Sequence, residues 1–420
     1  MLWTDKRLKL TGKHKRTLRA LAVGEDGPGT ILRDFETLLA FVRERDLRVS
    51  QTYHLLPRGV LPEVNARLAH PIQLDLKRPQ LKSYPHIQGL YLLLRATGLA
   101  VVGGTPSKPL LTVDEALYDA WSGLNPTERY FTLLEAWLLR GRPEIVGERE
   151  ESFRFLGQHL ADCAELIRRT PPEGLPVAGN DKAGRFVRYS PGRMGVALLE
   201  LFGLLAVEHG PPEAGGGWQI ERVYRTPLGE AVFALLYEEI LGDFDKMMAF
   251  EGAPQGSFGA LQPIFQPYVP AWQNNLQLPQ WTFRDGLHVF KVSLDRGLWR
   301  RIAVPAGLSL DSLARAVLNA YEFDHDHLYQ FSYRNRFGVE EKLLHPSFDD
   351  GPWTSEMRVG DVPLPIGQAM TYLYDFGDCW RFAVTLERVD PADTSLSEPT
   401  VLDARGDAPE QYPMWDEGEW

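Results

Sequence analysis

The side chains in this chain best able to do chemistry are Asp324-His325-Asp326-His327, with Asp375 and Asp378 further along. Imidazole nitrogens and carboxylate oxygens together can hold a divalent cation, and a carboxylate beside an imidazole can make it a general base. Arg300 and Arg301 are adjacent, so on a strand they face opposite ways. One is then placed to pair with Asp375 or Asp378, leaving the other for an anionic partner. The competing expectation is structural. Asp324, His325 and Asp326 fall where a helix gives way to a strand, and His327 opens that strand as a half-buried histidine with a carboxylate partner. Arg300, Arg301, Asp324, His327, Asp375 and Asp378 are therefore candidates for a ligand or partner surface, with a scaffold role favoured and no catalytic residue assigned. Ser309 and Ser312 open a helix without a cluster of arginines, which argues against resolvase chemistry. Asp375-Phe376-Gly377-Asp378 lacks the Gly-rich loop, strand lysine and catalytic loop of a kinase. Cys163 and Cys379 are too few for a disulfide framework and are not spaced as a metal knuckle, so reduced thiols, no metal and no cofactor are expected.

The elements that must position these residues begin near Gln280, where the pattern turns to alternation. His288–Leu294 and Trp299–Val304 read as strands. Leu310–Tyr321 reads as a helix with Leu310, Leu313, Val317 and Leu318 on one side and Ser309 as its cap. Further strands follow around Leu328–Tyr333, Ala369–Tyr374 and Trp380–Val389, which makes a small α+β domain. Gly377 is expected in a tight turn or bulge whose amides Asp375 and Asp378 bond.

Three pieces in this order carry a resemblance: Trp299-Arg300-Arg301-Ile302, His327-Leu328-Tyr329-Gln330-Phe331, and Tyr374-Asp375-Phe376-Gly377-Asp378 followed by Trp380. Over about residues 285–413 the chain resembles the plasmid pRiA4b ORF-3-like family, some of whose members are labelled transposon-passenger proteins. Leu402-Asp403 and Pro409-Glu410 echo that family's acidic, proline-containing tail. The resemblance implies a compact α+β domain without established enzymatic activity, in a mobile-element or regulatory setting. Family tails commonly carry cysteines, whereas Ala408–Pro413 has none, so no thiol or metal role carries over.

The remaining residues of the 420 leave room for further domains, and 44% apolar with 24% charged side chains is ordinary globular composition. A net charge of −11 disfavours broad phosphate binding. The start is nevertheless basic. Lys6, Arg7, Lys9, Lys13, Lys15 and Arg16 are candidate nucleic-acid contacts, and with Arg19 they face only Asp5. Residues 390–420 are acidic in turn. Ile31–Arg45, Glu128–Arg140 and Glu150–Arg169 read as amphipathic or apolar helices. Gly89–Trp121 and Ala197–Leu236 look like variants of one unit: apolar helix, Gly-Leu turn, strand, Gly/Pro-rich tip, strand, then a helix begun by Thr112 or Thr226. This layout resembles a winged helix, whose recognition helix and wing can bind DNA. The candidate recognition helices Leu90–Ala96 and Ala197–Gly203 carry only Arg95 as a base, which favours a structural or dimerising use.

The expected organisation is multidomain: a mostly α N-terminal half with winged-helix-like units at 1–125 and 126–250, a Pro/Gly-rich linker at 251–280, and the α+β domain with its acidic tail at 281–420. Ala197–Val207 is interrupted by Glu200 and too short to span a bilayer, and the basic start lacks the apolar run of a signal peptide, so a cytoplasmic chain with no membrane role is expected. The functional expectation is a non-enzymatic binding protein with a protein partner, or with DNA reached through the basic start. The alternative is a hydrolase built on His327 with Asp324, Asp375 or Asp378, with or without a metal.

Overall fold

The computed structural model describes residues 8–24, 27–105, 107–148, 156–177, 182–243, 245–247, 257–393 and 396–412. The chain divides into two compact units. One comprises Met1–Val102, Leu110–Pro279 and Arg336–Gly338; the other comprises Gly103–Pro109, Gln280–Asn335 and Val339–Trp420. Among the described residues no helix is long and apolar enough to cross a membrane.

The N-terminal half opens with α1 (Gly12–Arg19), capped by Thr11. One order of elements then occurs twice. The first pass is α2 (Ile31–Arg43), β1 (Leu47–Arg48), α3 (Leu61–Arg67), α4 (Pro85–Ala96), β2 (Ala100–Thr105) and β3 (Lys108–Val113). After α5 (Glu115–Ser122) and α6 (Pro126–Glu135), the second pass is α7 (Leu156–Arg169), β4 (Leu175–Pro176), α8 (Lys182–Val187), α9 (Arg193–Leu201), β5 (Leu205–His209) and β6 (Ile220–Arg225). Both passes close a three-stranded sheet in the same way, β1-β3-β2 and β4-β6-β5, the short strand pairing antiparallel with the last one. α10 (Pro227–Leu236) follows.

Local chemistry accounts for much of this. Pro85 stands in the first turn of α4, where its missing N–H costs nothing. Thr226 caps α10, accepting from the Gly229 amide at 2.9 Å. Thr112 does not cap α5 as expected. It lies within β3, and Asp114 takes the role, accepting from the Leu117 amide at 3.1 Å. Every residue of α4 is buried. Gly89 lets α9 approach closely, since a Cβ there would lie 2.8 Å from Leu198 Cγ.

Residues 257–279, expected as linker, belong to the first unit. Trp272 and Phe265 are fully buried, with the Trp272 ring stacked on Phe131 at 4.5 Å. Glu128 and Glu135 accept backbone amides from Asn274 and Gly259. Residues 149–155, which include the start of the helix expected from Glu150, lie outside the described residues, as do Lys6 and Arg7.

The second unit is built on an antiparallel sheet in the order β10-β9-β11-β12-β7-β8-β13. Its strands are β7 (Leu287–Ser293), β8 (Trp299–Pro305), β9 (Tyr329–Arg334), β10 (Glu340–Leu344), β11 (Ala369–Tyr374), β12 (Trp380–Asp390) and β13 (Thr400–Arg405). One helix, α11 (Leu310–Ala320), is capped by Ser309 and lays Leu310, Leu313, Ala314, Val317 and Leu318 into the core. Inward side chains include Phe290, Val292, Ile302, Phe331, Tyr372, Tyr374 and Phe382. Strand β9 buries Tyr329, Phe331 and Tyr333 in strict alternation, the period of a pleated strand with one covered face. Strands β10 and β13 were not expected. They form the two edges of the sheet, and β13 is mostly exposed with a register shift between Val401 and Asp403.

Candidate functional site

The Asp324–His327 segment joins α11 to β9, and the backbone turns into it through Glu322 at φ 58°. Asp324 is half-buried and accepts three side-chain hydrogen bonds: Tyr374 Oη at 2.6 Å, Tyr412 Oη at 2.6 Å and Gln411 Nε2 at 2.9 Å. Its own amide donates to Gln411 Oε1 at 2.7 Å. Burial alone would raise this carboxyl, but the donors from Tyr374, Tyr412 and Gln411 outweigh it and hold the group well below the usual range. Asp324 thereby ties residues 411–412 to the core tyrosine of β11.

His327 meets the same network. Its Nε2 lies 2.9 Å from Tyr412 Oη and its Nδ1 lies 3.5 Å from Asp375 Oδ2. The Tyr412 hydroxyl has one proton and gives it to Asp324, so it accepts from His327, which puts the histidine proton on Nε2. The carboxylate nearest His327 is Asp375, which faces the unprotonated Nδ1 and accepts no hydrogen bond from it in this tautomer. Asp375 is buried at φ 55°, and its Oδ1 accepts the Gly377 amide at 2.8 Å. The positive φ angles of this turn fall on Asp375 and Cys379 rather than on Gly377, so the turn does not depend on that glycine's freedom. Asp378 is exposed.

The arginines depart furthest from expectation. Arg300 is 6% exposed and donates to the carbonyls of Ala320, Trp299 and Arg405 at 2.8–3.1 Å. Its guanidinium lies 4.7 Å from the Tyr321 ring centre. It is thus directed at the end of α11 and not at an anionic partner. Arg301 faces the other way, as alternation requires, but binds Glu387 at 2.6 Å and Asp403 at 2.8 Å. Asp375 and Asp378 are the partners of neither in these ion pairs.

A hollow of about 370 Å³ adjoins His327, lined by Asp311, Arg315, Leu318, His325, Tyr329 and His345. Its polar groups are largely engaged. Asp311 accepts from Tyr329 and pairs with Arg315 at 2.8 Å, and His325 Nε2 meets Asn319 at 2.9 Å. Of the basic candidates at the start, Lys9, Lys13 and Arg16 are exposed and Lys15 is half-exposed. Leu18 buries the inner side of α1.

Sequence reasoning missed a second cluster, His86, Glu200 and His209, whose ligand atoms all lie within 4.8 Å of one another. Glu200 accepts from both imidazoles, His86 Nε2 at 2.8 Å and His209 Nε2 at 2.7 Å. Burial pushes its carboxyl up, yet the hydrogen bonds from His209 and His86 outweigh that and bring it down to about 2. The available signal was Glu200 itself, a charge within the apolar run of α9.

Three comparisons bear on these residues. Residues 287–412 match the family model of the plasmid pRiA4b ORF-3-like protein, within two residues at the start and one at the end of the span read from the sequence. An uncharacterised protein, y4hQ of Sinorhizobium fredii (strain NBRC 101917 / NGR234), is 31% identical over 125 residues. That match covers 28% of this chain and 62% of the relative, so the chain spans less than two thirds of it. A solved protein of unknown function, MM3350 from Methanosarcina mazei Go1, is 25% identical over 30% of this chain and 72% of its own, with a TM-score of 0.26. The sheet, its α-helix and the Asp324–Tyr412 network all lie within the matched span, and residues 287–412 are similar to the plasmid pRiA4b ORF-3-like protein family.

Proposed function

We propose that this chain is a non-catalytic association protein whose partner is another protein. The observation that carries the reading is the use to which the polar residues of the second unit are put. Asp324, His327, Asp375, Arg300 and Arg301 bond one another, neighbouring side chains or backbone carbonyls, and so hold the tail, the β11–β12 turn and the end of α11 in place. A general base needs a nitrogen lone pair aimed at a substrate proton; with the proton of His327 on Nε2 and given to Tyr412, that lone pair is on Nδ1, which faces the Asp375 carboxylate at 3.5 Å.

The repeated order of helix, short strand, two helices and hairpin supports reading both halves of the first unit as winged-helix modules. Their third helices, α4 and α9, pack on each other at Gly89 and Leu198, so neither is presented to a DNA groove. This favours protein association. DNA is the second reading, favoured by the exposed Lys9, Lys13 and Arg16 on and beside α1, and a regulatory or mobile-element setting suits either.

Stability separates scaffold from catalysis. Removing a catalytic carboxylate commonly leaves a fold as stable or more so, whereas removing an anchor weakens it. Asp324→Asn is expected to lower unfolding stability by about 1–2 kcal/mol in urea titration, and His327→Ala to change no turnover of ester or phosphoester probes. Hydrolysis lost in His327→Ala, with Asp324→Asn unaltered in stability, would establish the hydrolase instead. A salt-dependent duplex shift abolished by replacing Lys9, Lys13, Lys15 and Arg16 with alanine would move the assignment to DNA.

A further inference from the structure

We propose that His86, Glu200 and His209 form a binding site for a zinc-class divalent cation in the helical unit, where the first turn of α4, the last turn of α9 and the end of β5 meet. Two imidazoles and a carboxylate are the ligand set of open zinc sites, in which a fourth position is left for water. His86 lies 114 residues from Glu200 in sequence, whereas His209 follows Glu200 by nine, and β5 supplies this third ligand beside an irregularity in its sheet. The pairing of β5 with β6 shifts register between Glu208 and His209, where β6 carries one extra residue, Glu221, so the regular ladder is broken next to His209.

A second observation concerns His86. It is 4% exposed, its Nε2 is turned on Glu200, and its Nδ1 is buried with no hydrogen-bond partner. One hydrogen bond at Nε2 is thin compensation for taking an imidazole out of water, and a metal bond there is stronger, with the ring proton then on the unpartnered Nδ1. The side chains of Glu200 and His209 are 17% and 30% exposed, so an ion can enter from that side. Bonds of about 2.0–2.1 Å require ligand atoms roughly 3.3 Å apart; the present contacts of 2.7 and 2.8 Å, made to opposite oxygens of Glu200, open by about half an ångström, and the rest of the triad lies within 4.8 Å.

Loading has a defined local cost. Trp218 Nε1 donates to His209 Nδ1 at 3.3 Å, a long bond that places the His209 proton on Nε2. A cation at Nε2 moves that proton to Nδ1, where it meets the indole N–H, and Trp218 must turn away. Trp218→Phe removes the competing donor while leaving all three ligands, and therefore binds zinc at least as tightly as the natural chain. A triad serving only as hydrogen-bonded packing has no such dependence.

The test is titration of the chelator-stripped full chain with Zn²⁺ alone, by calorimetry and by metal analysis after dialysis. One zinc per chain is expected. His209→Ala and Glu200→Gln should each weaken binding by more than about tenfold with unchanged circular dichroism, while His327→Ala retains it. His86→Ala opens a buried cavity, so the two more accessible ligands carry the test. Failure to retain zinc, or equal binding in the natural chain, His209→Ala and Glu200→Gln, would overturn the site. Neither result bears on the scaffold role of Asp324.

Discussion

Glu200 and Asp324 are both carboxylates held ionised by donors around them, and acid should expose both. The Glu200 carboxyl is lowered from 4.5 to about 2 in the folded chain. A depressed folded value means the unfolded chain binds its proton first, so this stabilisation is complete above 4.5 and drains away as the pH falls towards 2. Urea midpoints measured down that range should fall for the natural chain and fall less steeply for Glu200→Gln. Parallel curves would show that the two histidines do not hold the charge. At this scale the sequence was informative about residue type and poor about surroundings. It placed Asp324, His327 and Asp375 near one another, and the structure does bring them together. It could not show that Arg300 points at the carbonyl of Ala320, because strand alternation assigns a side and not what occupies that side.

Elements with periodic burial and local caps were the most legible. The α11 stripe and its Ser309 cap, and the Thr226 start of α10, follow from short-range rules. Strands β1, β4 and β10 did not, since two of them are two residues long and β10 carries alternating burial on charged residues. The substitution of Asp114 for Thr112 as cap shows a short-range rule overruled by strand pairing, which draws Thr112 into β3. Thr226 does double work, accepting the Gly229 amide and donating to the Gly203 carbonyl at 2.9 Å each. Thr226→Ala should therefore lower stability by about 1–2 kcal/mol in urea, and Thr226→Ser should recover most of it. Equal loss in the two variants would indicate that the threonine methyl, not the hydroxyl, matters.

Across the molecule, the shift to alternation near Gln280 coincides with the boundary between the two compact units. The Pro/Gly-rich stretch before it misled, because glycine and proline mark irregular backbone without saying whether it is free or packed. Trp272 was the contrary signal, a large apolar side chain with a burial to find. The outer strand β13 bears on how separate molecules behave towards each other. Val401 and Leu402 are exposed there, beside backbone groups that no further strand among the described residues covers. A straight strand so composed would invite the same strand of another copy to add on, and so grow a fibril. The irregular step between Val401 and Asp403 breaks that template, and the charge of Asp403 guards it. Deleting Leu402 to restore even pairing, together with Asp403→Val, should produce time-dependent light scattering and thioflavin binding, leaving the natural chain clear at the same concentration.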